Sequence, residues 1–63
     1  RALTARETEV LGLVAGGATD KEAAAKLGVS VSAIKAHLAN IYAKWRVRSR
    51  TEAAIKFTQA GRK

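Results

Sequence analysis

The chain has 63 residues, of which twelve are basic and five acidic, so its net charge at pH 7 is +7. It has no cysteine and a single histidine, which excludes disulfide bonds within the chain, thiolate metal sites and histidine-based zinc clusters. No apolar run approaches the roughly 20 residues of a membrane span, no signal-peptide pattern opens the chain, and the 48% hydrophobic content favours one small folded domain over a disordered tail.

The first two predicted helices begin with the same local signal. Thr4-Ala-Arg-Glu7 and Thr19-Asp-Lys-Glu22 are capping-box patterns, in which the hydroxyl accepts from a backbone N–H three residues on and the glutamate reaches back to the cap. We expect helices over 5–15 and 20–27, the first ended by Gly16-Gly17 and the second by Gly28. Their apolar residues are Val10, Leu11, Leu13, Val14, Ala23, Ala24 and Leu27.

A third helix is predicted over 31–45, with Ser30 as its N-cap. Only Gly28-Val29-Ser30 separates it from the second helix, and a short glycine-bearing turn of this kind is typical of a helix-turn-helix. The third helix has two different faces. Four residues at helical spacing are expected to face the core: Ile34, Leu38, Ile41 and Trp45.

The opposite face of the third helix is predicted to be exposed, and it holds Ser32, Lys35, Ala36, Ala39, Asn40, Ala43 and Arg46. Small side chains would let a helix backbone approach base edges in a DNA major groove. Lys35 could donate to guanine or reach a phosphate, and Asn40 could pair with adenine or bind a phosphate. An ordinary solvated face is the alternative, because alanine is also a good helix former.

A fourth helix is predicted over 50–60, begun by the third capping-box pattern, Ser49-Arg-Thr-Glu52, and ended by Gly61. Ala53, Phe57 and Ala60 are expected to face inward. Ile55 is then left on the far side, together with Thr51, Thr58 and Arg62. No segment alternates like a strand, so the predicted fold class is all-α, a four-helix helix-turn-helix domain with its recognition helix third.

The positive charge lies in the second half of the chain. Residues 1–28 carry four basic and four acidic residues, whereas residues 29–63 carry eight basic residues and only Glu52. A polarised basic surface indicates a polyanionic partner, most often a nucleic acid. Lys44 and Arg46, in the basic cluster 44–50, lie at the C-terminal end of the third helix, where the helix dipole favours a positive charge. Val47, in the same cluster, is expected to be part of the core.

These residues together resemble the LuxR-type helix-turn-helix, the DNA-binding output domain of LuxR and of NarL/FixJ response regulators. The resemblance covers residues 3–61. It rests on elements spaced through all four helices, among them Leu3-Thr4-x-Arg6-Glu7-x-Glu9-Val10-Leu11, Lys21-Glu22, Val29-Ser30, Ile34-Lys35-x-His37, Asn40-Ile41, Lys44, Val47, Arg50 and Glu52-Ala53.

The resemblance implies sequence-specific binding of double-stranded DNA for transcriptional regulation, with the third helix in the major groove. The base-facing set would be Lys35, Ala36, Ala39 and Asn40. Candidates for contacts to the DNA backbone are Thr19, Lys21, Ser30, Ser32, His37, Lys44, Arg48 and Arg50. It also implies a homodimer through the fourth helix, for which we expect contacts by Thr51, Ile55 and Thr58.

The resemblance further implies a bacterial cytoplasmic protein, associated with the nucleoid when bound to DNA, with an N-terminal sensor or receiver domain. Because the sequence opens on Arg1, we expect a fragment of a longer regulator. We expect no cofactor, no metal and no membrane partner. Catalysis is not expected, because no residue is patterned to form a nucleophile–base pair with His37. The alternatives are a module that contacts RNA polymerase or a partner domain, and a sigma region-four-like promoter-binding domain.

Overall fold

The computed structural model describes residues 2–61, which form four α-helices and no strand. The helices are α1 (Ala5–Ala15), α2 (Asp20–Leu27), α3 (Val31–Trp45) and α4 (Arg50–Gly61). The all-α, four-helix prediction is therefore confirmed, and each predicted boundary agrees with the structure to within one residue. None of the helices within residues 2–61 is long and apolar enough to cross a membrane.

The predicted helix starts are confirmed for the first three helices. The Thr4 and Thr19 hydroxyls accept from the backbone N–H groups of Glu7 and Glu22, each at 3.1 Å, and both glutamates return the bond to the cap N–H at 2.9 Å. The Ser30 hydroxyl accepts from the backbone N–H of the residue three positions on, also at 3.1 Å. These side chains satisfy N–H groups that have no partner within their own helix.

The start of α4 differs from its prediction in one bond. The Ser49 hydroxyl accepts from the Glu52 N–H at 3.1 Å, as expected. The Glu52 carboxylate, however, accepts from the backbone N–H of Arg48 at 2.6 Å, one residue before the cap. The chain entering α4 thus turns so that the residue preceding the cap presents its N–H to the carboxylate, and only half of the capping box forms.

The core is built by α1 and α3, with short side chains from α2 and α4 covering it. Its buried residues are Val10, Leu11, Val14, Ala23, Ala24, Ile34, Leu38, Ile41 and Ala53. Around them pack partly buried residues, which include Leu13, Leu27, Trp45, Val47 and Phe57. α1 packs most extensively on α4, and α2 on α3. A deeply buried stripe on α3 fixes which of its sides faces away from the protein.

Three predicted core positions differ from expectation. Trp45 and Val47 are only partly buried, because they lie at the end of α3 and just beyond it and pack at the margin of the core. Ala60 is exposed, so the inward stripe of α4 consists of Ala53 and Phe57 and the prediction for Ala60 is wrong. The last turn of α4 therefore extends past the core. Arg62, expected on the far side of α4, lies outside the described residues.

Candidate nucleic-acid interface

The side of α3 opposite the core is exposed. The predicted base-facing side chains Lys35, Ala36, Ala39 and Asn40 are all exposed, as is Ser32 in the first turn. The other side of the same helix is buried in the core, where three side chains are at most 4% exposed: Ile34, Leu38 and Ile41. The helix thus presents a surface of mostly small side chains, with Lys35 near its start and the exposed Arg46 just past its end.

The beginnings of α2, α3 and α4 meet around a concave surface of about 700 Å³. Gly17, Ala18, Thr19, Asp20, Lys21, Val31, Lys35 and Arg50 line it. Four of the predicted site residues (Thr19, Lys21, Lys35 and Arg50) therefore come together, although the first and the last are 31 positions apart in the chain. The N-terminus of α2 opens onto the same surface, and helix N-termini attract anions through their free N–H groups and dipole.

The hydroxyls predicted to bind the DNA backbone already have a role inside the fold. Thr19 and Ser30 accept backbone N–H bonds as the caps of α2 and α3. A hydroxyl that accepts a bond keeps its own proton to donate. Both side chains are exposed, so each can cap its helix and donate to an anion at the same time.

Lys44 forms an ion pair across the fold. Its Nζ lies 2.7 Å from Oε1 of Glu7, a carboxylate whose residue is 4% exposed. The ammonium of Lys44, and next the backbone N–H of Thr4, lower the pKa of Glu7 below its usual value of 4.5, although burial opposes the shift. This pair joins the last turn of α3 to the first turn of α1.

Arg50 also has partners within the fold. Its Nη1 lies 2.6 Å from Oδ1 of Asp20, and its Nη2 donates to the carbonyl of Ala18 at 2.9 Å. The guanidinium thereby ties the start of α4 to the start of α2. It also balances the one carboxylate on the concave surface, which would otherwise repel an anion there.

The remaining predicted backbone contacts lie around α3. Arg48 is exposed in the turn between α3 and α4, and its side chain has no ion pair within residues 2–61. Lys21 is exposed on the first turn of α2. His37 is half-buried on α3, between the buried stripe and the exposed face. Within residues 2–61, no cluster of His, Cys, Asp and Glu could hold a metal ion.

The α4 surface predicted for dimer contacts is exposed at all three positions, Thr51, Ile55 and Thr58. Ile55 is 53% exposed and is the one large hydrophobic residue of the described part of the chain that lies open to solvent. Beside it, a shallow depression of about 280 Å³ is lined by Ala54, Ile55, Thr58 and Gln59. This surface is distinct from the α3 face.

Sequence reasoning missed two residues of this region, Glu7 and Asp20. The sequence marks Glu7 and Asp20 only as residues within capping-box patterns. Their ionic partners lie 37 and 30 positions away. A signal did exist, since both are acidic residues at helix starts in a strongly basic chain, but nothing in the local pattern indicates which cation each one meets.

Comparisons with known proteins show which proteins this chain resembles. The model of the family described as bacterial regulatory proteins, luxR family, matches residues 1–57. The monoamine regulon transcriptional regulator of Klebsiella aerogenes is 50% identical over 50 residues, which are 79% of this chain and 22% of that protein. The nitrate/nitrite response regulator protein NarP of Escherichia coli is 42% identical over 57 residues, or 90% of this chain and 26% of that protein.

A solved structure extends the comparison to the fold. The response regulator ChrA of a heme-sensing two-component system superposes with a TM-score of 0.83 at 42% identity, over 98% of this chain and 30% of that one. The chain thus spans about a quarter of the length of the curated relatives it matches.

Proposed function

The chain belongs to the luxR family of bacterial regulatory proteins as a helix-turn-helix domain of transcriptional regulators, and we propose that it binds specific sequences of double-stranded DNA through α3. The observation that carries the proposal is the exposed α3 face, in which Lys35 stands among small side chains opposite a buried stripe. A helix with such a face fits into a major groove about 12 Å wide without bulky side chains holding it away.

In this proposal the base-facing residues are Lys35, Ala36, Ala39 and Asn40. Lys35 lies in the second turn of α3, and recognition helices contact bases with their N-terminal residues. Alanines supply clearance and apolar contacts, but no hydrogen bonds. Each domain therefore reads few bases directly, and DNA shape or a second domain supplies the remaining specificity.

The phosphates on either side of the groove would be bound by the residues around α3. Exposed Lys21 and Arg48 supply charge, and the hydroxyls of Thr19, Ser30 and Ser32 supply neutral donors. His37 has a half-buried ring from which a nitrogen could donate to a phosphate. Lys44 and Arg50 are weaker candidates for phosphate contacts than Lys21 and Arg48, because each already has a carboxylate partner within the fold.

The test is selection of binding sequences from random duplex DNA, followed by measurements on the enriched sequence. Lys35→Ala should cost about 1–3 kcal/mol at particular base pairs and relax the selected motif there. Arg48→Ala is the matched comparison, because it should weaken all sequences alike. If Lys35→Ala leaves both motif and affinity unchanged, α3 does not read DNA in the proposed way.

We further propose that two domains pair through the α4 surface of Thr51, Ile55 and Thr58. The exposed Ile55 beside an apolar depression supports this, because the surface lies apart from the α3 face and leaves it open. Pairing would place two α3 helices on two half-sites of one DNA molecule, so that the limited readout of each domain is doubled.

Ile55→Glu tests the pairing. The new charge would be desolvated in the contact, so binding to a duplex with two half-sites should fall much more than binding to a single half-site. Ala25→Glu is a suitable control, because it adds the same charge at an exposed position of α2 that lies outside the proposed α4 contact surface. Equal losses on both duplexes for Ile55→Glu would rule out this surface as the dimer contact.

The full-length protein would carry an N-terminal receiver or sensor domain that controls this output domain, and it would act in the cytoplasm of a bacterium. The support is that the chain spans about a quarter of relatives that include named response regulators. The exposed α4 surface also leaves room for a contact with RNA polymerase. A purified full-length protein whose DNA binding changes on phosphorylation would support a receiver domain.

A further inference from the structure

Three of the four helices end with the same backbone arrangement. A residue with positive φ follows the helix, and the N–H of the next residue donates to the carbonyl five positions back. The bonds are Ala18 to Leu13 at 3.0 Å, Val29 to Ala24 at 3.0 Å and Val47 to Tyr42 at 3.1 Å. The positive-φ residues are Gly17 at 101°, Gly28 at 68° and Arg46 at 55°.

Arg46 is the exception among these three positions. Glycine adopts this region without cost, whereas a side chain strains the backbone there. A Cβ atom built on Gly17 or Gly28 would meet nothing within 4 Å, so backbone conformation alone accounts for glycine at both. At the end of α3, a non-glycine residue occupies the same conformation and makes the helix end less stable than its two counterparts.

Nothing within the described fold compensates for this strain. Arg46 is exposed, and its side chain makes no hydrogen bond or ion pair with residues 2–61. The negative end of α3 already has two other cations, since Lys44 lies in its last turn and Lys56 donates to the Trp45 carbonyl at 3.3 Å. A strained residue that the fold does not need points to a role outside it.

The position of Arg46 indicates that role. It follows Lys35 by eleven residues, which is three helical turns and about 20°, so its Cα lies on the same side of α3 about 16 Å further along the axis. The major groove is only about 12 Å wide, so with Lys35 over the bases a long side chain at Arg46 reaches the phosphates that border the groove.

We propose that Arg46 is a DNA phosphate contact, held at a left-handed helix end where glycine would be more stable. The proposal rests on the proposed DNA binding through α3. It commits Arg46 to the sugar–phosphate backbone rather than to bases, so its contribution should be the same on every duplex sequence. It also predicts that stability and DNA affinity respond in opposite directions when Arg46 becomes glycine.

Arg46→Gly is the test, with a random-sequence duplex as the probe. Removing the strain should raise Tm by a few degrees. Losing one phosphate contact should lower affinity about eightfold at 0.1 M salt and make the slope of log K against log salt concentration shallower by about 0.9. Arg46→Asn, which tolerates positive φ but carries no charge, should lose affinity to the same extent. Arg46→Lys should keep the slope and the Tm.

The control is Lys26→Gln, which removes one exposed charge from the side of α2 that faces α1, away from α3. It should change the slope much less than Arg46→Gly does. A higher Tm for Arg46→Gly with unchanged affinity and slope would overturn the proposal, and so would an affinity loss confined to one sequence. Failure of the wild-type domain to bind any duplex would overturn DNA binding itself, which is a distinguishable result.

Discussion

The salt dependence of DNA binding should reveal how many cations of this domain act on DNA and how many act on its fold. The experiment neutralises one cation at a time, and the variants Arg48→Gln and Lys44→Gln compare an exposed cation with an ion-paired one. Arg48 is exposed without an ionic partner among residues 2–61, whereas Lys44 lies 2.7 Å from the buried carboxylate of Glu7. Although the two are four residues apart, we expect different effects.

The expected slope of log K against log salt concentration follows from the number of cations available for phosphates. Four cations near the α3 face have no ion pair within the described chain: Lys21, Lys35, Arg46 and Arg48. Lys35 is assigned to the bases, so three of them are left for phosphates. At about 0.9 per phosphate neutralised, these three give a slope of about −2.7, or about a 40-fold loss of affinity between 50 and 200 mM salt. If Lys44 and Arg50 also bound phosphates, the slope would be about −4.5 and the loss about 500-fold.

The assay is a fluorescence anisotropy titration of a short duplex with one half-site, repeated at several salt concentrations for each variant. Arg48→Gln should make the slope shallower by about 0.9. Lys44→Gln should leave the slope nearly unchanged while lowering the urea midpoint of unfolding, because it leaves Glu7 buried and unpaired. A slope change of about 0.9 for Lys44→Gln with an unchanged midpoint would refute the assignment of Lys44 to the fold.

Two further predictions concern stability. Glu7→Gln should destabilise the domain at neutral pH: because the folded pKa of Glu7 is lowered, the stability it confers is complete above its unfolded value near 4.5 and is lost as the pH falls through the folded pKa. The urea midpoints of both proteins should therefore converge as the pH falls below 4.5 and through the folded pKa of Glu7, and a pH-independent difference would contradict the ionic account. Gly12→Ala should stabilise α1 by about 0.5–1 kcal/mol, because its Cβ would lie 3.7 Å from Phe57, an ordinary contact. A lower Tm would show that α1 and α4 pack too closely there for a methyl group.

The helices could be predicted from the sequence because their signals are local. Thr4, Thr19 and Ser30 cap helices through bonds to residues three positions on, and Gly28 ends one through its own backbone conformation. Such interactions depend on neighbours in the chain and hardly on the rest of the fold. The last turn of α4 shows the limit, since whether Ala60 meets the core depends on where α1 lies, which helical spacing does not specify.

The ionic partners could not be predicted, because they are separated by long stretches of chain. The sequence placed the positive charge of Lys44 near the end of the third helix. Two partners could be expected there, the negative end of the helix dipole and a DNA phosphate. The structure adds a third partner, Glu7, which is buried and contacts Lys44 because α1 packs against α3. The prediction that Arg50 binds phosphate likewise had no information about Asp20.

The net charge of this chain is therefore a poor measure of its affinity for DNA. Of the cations in its basic half, Lys44 and Arg50 have carboxylate partners, and Lys56 donates to the end of α3. These three join helices to one another and keep the α3 face in place, so only part of the positive charge is available for phosphates. With so few available cations and one lysine proposed to contact bases, we expect a single domain to bind weakly. If two domains pair through the α4 surface around Ile55 as proposed, their contacts to one duplex would add without adding to the cost of folding either domain, and that surface would then matter as much to DNA recognition as α3 itself.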